Sequence, residues 1–69
     1  MANLIEVIQP ECNRLREQVL PEYEKLPNGV GMVAATFMKN SIRKAEASIA
    51  SGEVVEMVTA LNDLKGYSL

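Results

Sequence analysis

Leu26-Pro27-Asn28-Gly29-Val30-Gly31, running straight into Met32-Val33-Ala34-Ala35-Thr36-Phe37-Met38, divides this chain and is its one candidate binding loop. Pro27 disfavours helix at Leu26, and Asn28-Gly29 tolerates left-handed backbone geometry. The small residues that follow allow close approach by another backbone or a ligand. On either side the pattern is helical.

Upstream, residues 3 to about 26 read as a first helix. Asn3 and Glu6 have the spacing of a reciprocal N-terminal cap. The apolar stripe Ile5, Ile8, Cys12, Leu15, Val19, Tyr23, Leu26 advances by three or four residues throughout. Pro10 and Pro21 interrupt the segment, and each removes an intrahelical hydrogen bond. At about 100° per residue both fall opposite the stripe, so bends there turn the stripe inward around a partner. The continuous stripe favours one kinked helix over three short ones, although Pro21 equally suits the first residue of a separate turn.

Downstream, a second helix is expected from about Val30 to Ala50, burying Gly31, Ala34, Ala35, Met38, Ile42, Ala45 and Ile49. Val33 and Phe37 project to one side of that face and offer a second contact surface, while Lys39 and Arg43 lie on the opposite side. Ser51-Gly52 breaks the pattern. A third helix then spans about Glu53 to Lys65, with Val54, Met57, Val58, Leu61 and Leu64 facing inward and Gly66 marking its end. Tyr67-Ser68-Leu69 is a short tail that packs back on the bundle or against a second chain. The fold class is thus all-α: a kinked N-terminal helix plus two further helices in a single domain, 1–69.

A domain of 69 residues buries only about 60% of the surface its unfolded chain exposes. Below roughly 70–80 residues, chains usually need staples, very good helix packing or self-association. The one cysteine, Cys12, and the absence of histidine leave neither a disulfide framework nor a common zinc site. Self-association is therefore expected, with Ile5, Ile8, Leu15, Val19, Val33 and Phe37 as the interface.

The net charge of −2 argues against generic nucleic-acid binding, which needs cations to neutralise several phosphates. That average hides a pattern. Residues 1–28 carry five acids (Glu6, Glu11, Glu17, Glu22, Glu24) against Arg14, Arg16 and Lys25. Residues 29–52 carry Lys39, Arg43 and Lys44 against Glu46, and residues 53–69 carry Glu53, Glu56 and Asp63 against Lys65. A basic middle between acidic ends suits electrostatic self-association, or a small anionic ligand held by the middle segment. The chain shows no signal-peptide pattern and no apolar run of the roughly 20 residues needed to cross a bilayer. With a free cysteine, a cytoplasmic location is expected.

Catalysis has little to stand on: the commonest general base is missing, and Cys12 lies on the apolar stripe. Carboxylate pairs such as Glu22 and Glu24, or Glu53 and Glu56, read more simply as solvated charges near helix ends. No enzyme, cofactor or metal is expected. The glycine-bearing turn is the better candidate, because a turn feeding a helix presents backbone N–H groups at the positive end of the dipole. Asn28, Gly29 and Gly31 would cradle a phosphate or carboxylate, assisted by Thr36, Lys39 and Arg43. The spacing departs from both the Walker A pattern and the dinucleotide fingerprint. The simpler reading of the same residues is a helix connection with a close-packed start.

Gly29 and Gly31 ahead of Ala35 and Phe37, then Ile42, Ala45-Glu46, Ala50-Ser51-Gly52-Glu53-Val54-Val55, Met57 and Leu64-Lys65, form a pattern covering a little over half the chain. It resembles short proteins of tailed bacteriophages and prophages. The resemblance implies a viral origin and a role inside the infected bacterium, and it brings no catalytic residues. By analogy with small phage proteins, the chain is expected to act by stoichiometric binding as an accessory or counter-defence protein. It either encloses a small anionic, nucleotide-like ligand or blocks a host protein, the latter through Glu17, Glu22 and Glu24 imitating nucleic-acid charge. The alternative is a structural or assembly protein using the Ile5–Leu26 stripe.

Overall fold

The computed structural model describes residues 3–67, so Ser68 and Leu69 of the expected tail lie outside the described residues. In order, the elements are α1 (Leu4–Arg14), a π-helical turn (Leu15–Val19), α2 (Leu20–Glu24), a 3-10 turn (Pro27–Gly29), α3 (Met32–Ser51) and α4 (Val54–Lys65). The described residues contain no strand, and the class is all-α.

The first helix begins where Asn3 Oδ1 accepts the Glu6 N–H at 3.0 Å. It remains helical through Pro10 and Pro21, as a kinked rod and not three pieces. The misfit appears just ahead of Pro21, which can neither donate to the carbonyl four residues back nor tolerate it close by. There the chain widens into the π turn, and the Leu20 N–H donates to the Leu15 carbonyl five residues back. The extra residue advances the inward face. Leu20 is therefore buried beside Val19, and Leu26, expected on the stripe, is 42% exposed.

α3 returns along the first helix, packing on α2 at its start, and α4 packs on both α3 and α1. Ile8, Cys12, Leu15, Val19 and Leu20 meet Ala35, Met38, Ile42 and Ala45 of α3 and Met57, Ala60 and Leu64 of α4 in one core. Two residues of that buried face, Ser41 and Ser48, are polar, and both are satisfied. Ser48 Oγ donates to the Ala45 carbonyl at 2.6 Å, and Ser41 Oγ lies 2.9 Å from the Tyr67 hydroxyl.

α4 departs from expectation in its rotation. It faces inward through Met57, Ala60, Leu61 and Leu64, whereas Val54 and Val58 point outward. Ala60 on α4 and Ser41, Ala45 and Ser48 on α3 are all small and buried, and small side chains suit closely packed helices.

Length then decides what stays uncovered. Twelve residues make α4 about 18 Å long, while the twenty of α3 make about 30 Å. The third helix thus covers one half of the hairpin and stops, in a molecule 42 × 18 × 16 Å across. Arg14 fixes the stopping point. Its Nη2 donates to the Leu64 and Tyr67 carbonyls at 3.4 and 3.1 Å, and its Nε donates to Glu11 at 2.8 Å. Replacing Arg14 with Ala leaves those last carbonyls to solvent and should cost about 1–2 kcal/mol. Hydrogen exchange should accelerate selectively in the final turn of α4; unchanged protection there would contradict this role.

Candidate functional site

The turn between the helices has the left-handed geometry read from its residues: φ is 59° at Asn28 and 69° at Gly29, and both are exposed. Gly31 is buried. A Cβ there would overlap the Tyr23 carbonyl and come within 3.1 Å of Leu26 Cδ1, so α2 already occupies the space a ligand would need beside it. Close approach at this glycine joins helix to helix.

The remaining ligand candidates divide between two depressions. Thr36, whose hydroxyl donates to the Met32 carbonyl at 2.9 Å, lines an apolar one with Met32, Val33 and Phe37. Lys39 and Arg43 line another with Arg16, Leu20, Ile42 and Glu46, on the seam between the first helix and α3. Lys39 Nζ is 3.3 Å from Glu24, and Arg16 is 3.2 Å from Glu46; both pairs are solvent-exposed and so weak. The fold therefore brings Lys39 and Arg43 together and adds Arg16, while Asn28 and Gly29 sit in the turn and Gly31 inside. Arg16 went unread because only the pairing of the two helices carries it to α3.

Arg43 also borders a notch where α4 ends, with Phe37, Ser41, Lys44, Asp63 and Tyr67. Tyr67 packs back on the core there, one of the two options read from the tail.

Of the expected interface, Ile8, Leu15 and Val19 are buried within the chain and Ile5 packs on the same core. That face is filled by the protein's own helices. Val33 and Phe37, in contrast, remain 66% and 60% exposed, beside Val30 and Met32. Val33 lies on the half of the hairpin beyond the end of α4, and Phe37 at its edge, in the notch with Asp63 and Tyr67.

Cys12 lines a depression with Gln9, Asn13, Arg16, Glu46 and Ile49, yet is itself buried. Burial pushes its thiol above the ordinary value of 9.0; Glu46 and Glu11 add to the rise and Arg16 opposes it. The folded chain thus prefers the thiol, the poorer nucleophile. Native protein should react with a disulfide reagent at pH 8 at least ten times more slowly than protein in denaturant. Because the folded value exceeds the unfolded one, this group's stabilisation is complete below the unfolded value. It is lost as pH rises through the folded one, so stability should fall above about pH 9. Equal labelling rates in both states would contradict the burial.

Among the described residues no three His, Cys, Asp or Glu side chains converge to hold a metal ion, and no helix is long and apolar enough to cross a membrane. Comparison of the chain with protein families, with curated proteins and with solved structures returns no match.

Proposed function

We propose that this chain is a non-enzymatic, phage-type accessory or counter-defence protein that works as an assembly of copies and sequesters a small anionic, nucleotide-like ligand in its host's cytoplasm. The observation that carries the reading is the uncovered half of the hairpin. Val30, Met32, Val33 and Phe37 stand in solvent where a third helix would normally pack, and contiguous apolar surface of this kind marks a contact site. The ligand is assigned to the Arg16, Lys39 and Arg43 depression, where Arg16 pairs with Glu46 and Lys39 with Glu24, leaving an excess of one cation over the carboxylates. Exposed ion pairs are weak enough for an anion to displace. The phage character rests on the sequence resemblance.

Blocking a host protein through acids of the first helix is the weaker reading. Glu22 pairs with Lys25 at 3.5 Å and Glu24 with Lys39 at 3.3 Å, so the proposed mimic of nucleic-acid charge is partly neutralised. An assembly role through the Ile5–Leu26 stripe meets a face already covered from within.

A thermal-shift series with mono- and dinucleotides at low salt tests the ligand assignment. Saturation at a hundred times Kd adds about 2.7 kcal/mol, which raises Tm by on the order of 10 °C in a domain this small. The shift should vanish in Lys39→Ala/Arg43→Ala. Wild-type protein indifferent to every nucleotide, or a shift that survives in the double variant, would remove the assignment.

A further inference from the structure

Ion pairs cross the seam between the first helix and α3 in antiparallel order: Glu24 meets Lys39 at 3.3 Å, and Arg16 meets Glu46 at 3.2 Å. Two depressions lie along this seam and share Arg16 and Glu46. One is the anion site, where Lys39 and Arg43 stand with Leu20 and Ile42. The other is lined by Gln9, Cys12, Asn13 and Ile49. The Arg16–Glu46 pair is thus a partition between two halves of one groove. Its side chains are 47% and 57% exposed, and an ion pair so placed is weak. An anion that draws Arg16 away from Glu46 opens one half into the other.

The two halves differ in chemistry. In the first, Arg43 is the cation in excess once Glu24 and Glu46 are set against Lys39 and Arg16. That balance suits one phosphoryl group, with its charge of about −1.5 to −2, and not a chain of them. Past Arg16 the lining residues are neutral. Gln9 and Asn13, four apart on one helical face, present exposed amides there. Each amide offers donors and an acceptor, which suits a neutral group that carries both. Ile49, partly buried on α3, adds an apolar floor for a flat ring. Gln9 to Arg16 spans about 10 Å of helix, comparable to the reach of one nucleotide from its phosphate to the far edge of its base.

Resting on the reading that this depression takes an anionic ligand, we propose that the seam binds a nucleoside monophosphate lengthwise. The phosphate lies among Arg16, Lys39 and Arg43 and displaces Glu46 from Arg16, while the base reaches Gln9 and Asn13 over Ile49. Selectivity follows from the same placement. Inorganic phosphate and ribose phosphate leave the amides unused, and a triphosphate brings charge for which the far half has no cation.

Nuclear magnetic resonance titration of isotope-labelled protein at low salt tests this placement. The probes are inorganic phosphate, ribose phosphate, the ribonucleoside monophosphates of all four bases and adenosine triphosphate. At least one monophosphate should bind about tenfold or more tighter than the other probes, and it alone should move the side-chain amide signals of Gln9 and Asn13. Gln9→Ala/Asn13→Ala, checked for helicity by circular dichroism, should bring that ligand to within about threefold of inorganic phosphate and leave phosphate itself unchanged. Glu46→Gln, which frees Arg16, should tighten both by about threefold or more. Monophosphates that bind no better than inorganic phosphate, or a preference that survives in the Gln9/Asn13 variant, would overturn the placement of the base while the anion site stands. Ribose phosphate binding as tightly as the nucleotides would replace the base with the sugar, and a tighter triphosphate would overturn the single-phosphate match. Wild-type protein that binds none of the probes removes the anion reading beneath the proposal.

Discussion

Gly31→Val should destroy the hairpin. The new Cβ would overlap the Tyr23 carbonyl, a backbone atom that no side-chain rotation can move aside, with Leu26 Cδ1 close behind it. Either α2 and α3 separate or the turn rebuilds. A cost of about 3 kcal/mol or more follows from overpacking of this severity, against a total stability of about 3–10 kcal/mol for a chain of this length. Thermal unfolding should show Tm lower by 15 °C or more, or no cooperative transition. Gly52→Ala is the control: φ there is 73°, but nothing lies within 4 Å of the added methyl, so only the backbone penalty of about 1 kcal/mol applies. Equal effects of the two substitutions would show that the close approach at Gly31 has been misjudged. The same geometry makes Gly31 unsuitable as a ligand probe, because its replacement removes the fold.

Leu64→Ala should release α4. Leu64 is fully buried near the end of a 12-residue helix, and isolated helices of that length are marginal in water. Its truncation should cost about 2–5 kcal/mol. Because Leu64 sits with Met57 and Ala60 against Ile8 and Ile42 in one core, the loss should appear as hydrogen exchange across Val54–Lys65 before global unfolding. Val58→Ala, on the outward side of the same helix, should change monomer stability by less than about 0.5 kcal/mol. A tolerant Leu64 would mean that α4 is held mainly by Arg14 at its end.

Much of the fold was legible because helices write their burial at a period of 3.6. Ile8, Cys12, Leu15 and Val19, and Ala35, Met38, Ile42 and Ala45, were read as inward faces and are buried. Legibility failed where the period itself changes. The π turn inserts a residue ahead of Pro21, so Leu20 turned inward unread and Leu26 lost its place on the stripe. It failed again on α4, where valines at 54 and 58 outrank Ala60 in hydrophobicity, yet Ala60 is buried and both valines are exposed. The candidate site shows the same limit. The turn residues Asn28 and Gly29 have the geometry read from their types, and Lys39 and Arg43 stand together as one helical turn requires. That Gly31 serves Tyr23, and that Arg16 joins the cations of α3, depend on how the helices cross, which no local spacing records. The uncovered state of Val33 and Phe37 follows from relative length: the third helix is shorter than the hairpin it covers.

On the function proposed above, a single copy leaves too much apolar surface in water to act alone. Multi-angle light scattering across concentrations from about 1 to 100 µM tests it most directly. The expected mass is a fixed multiple of 7.6 kDa that falls toward one copy on dilution and in Val33→Asp/Phe37→Asp. A folded species of 7.6 kDa throughout that range, unchanged by those substitutions, would contradict it.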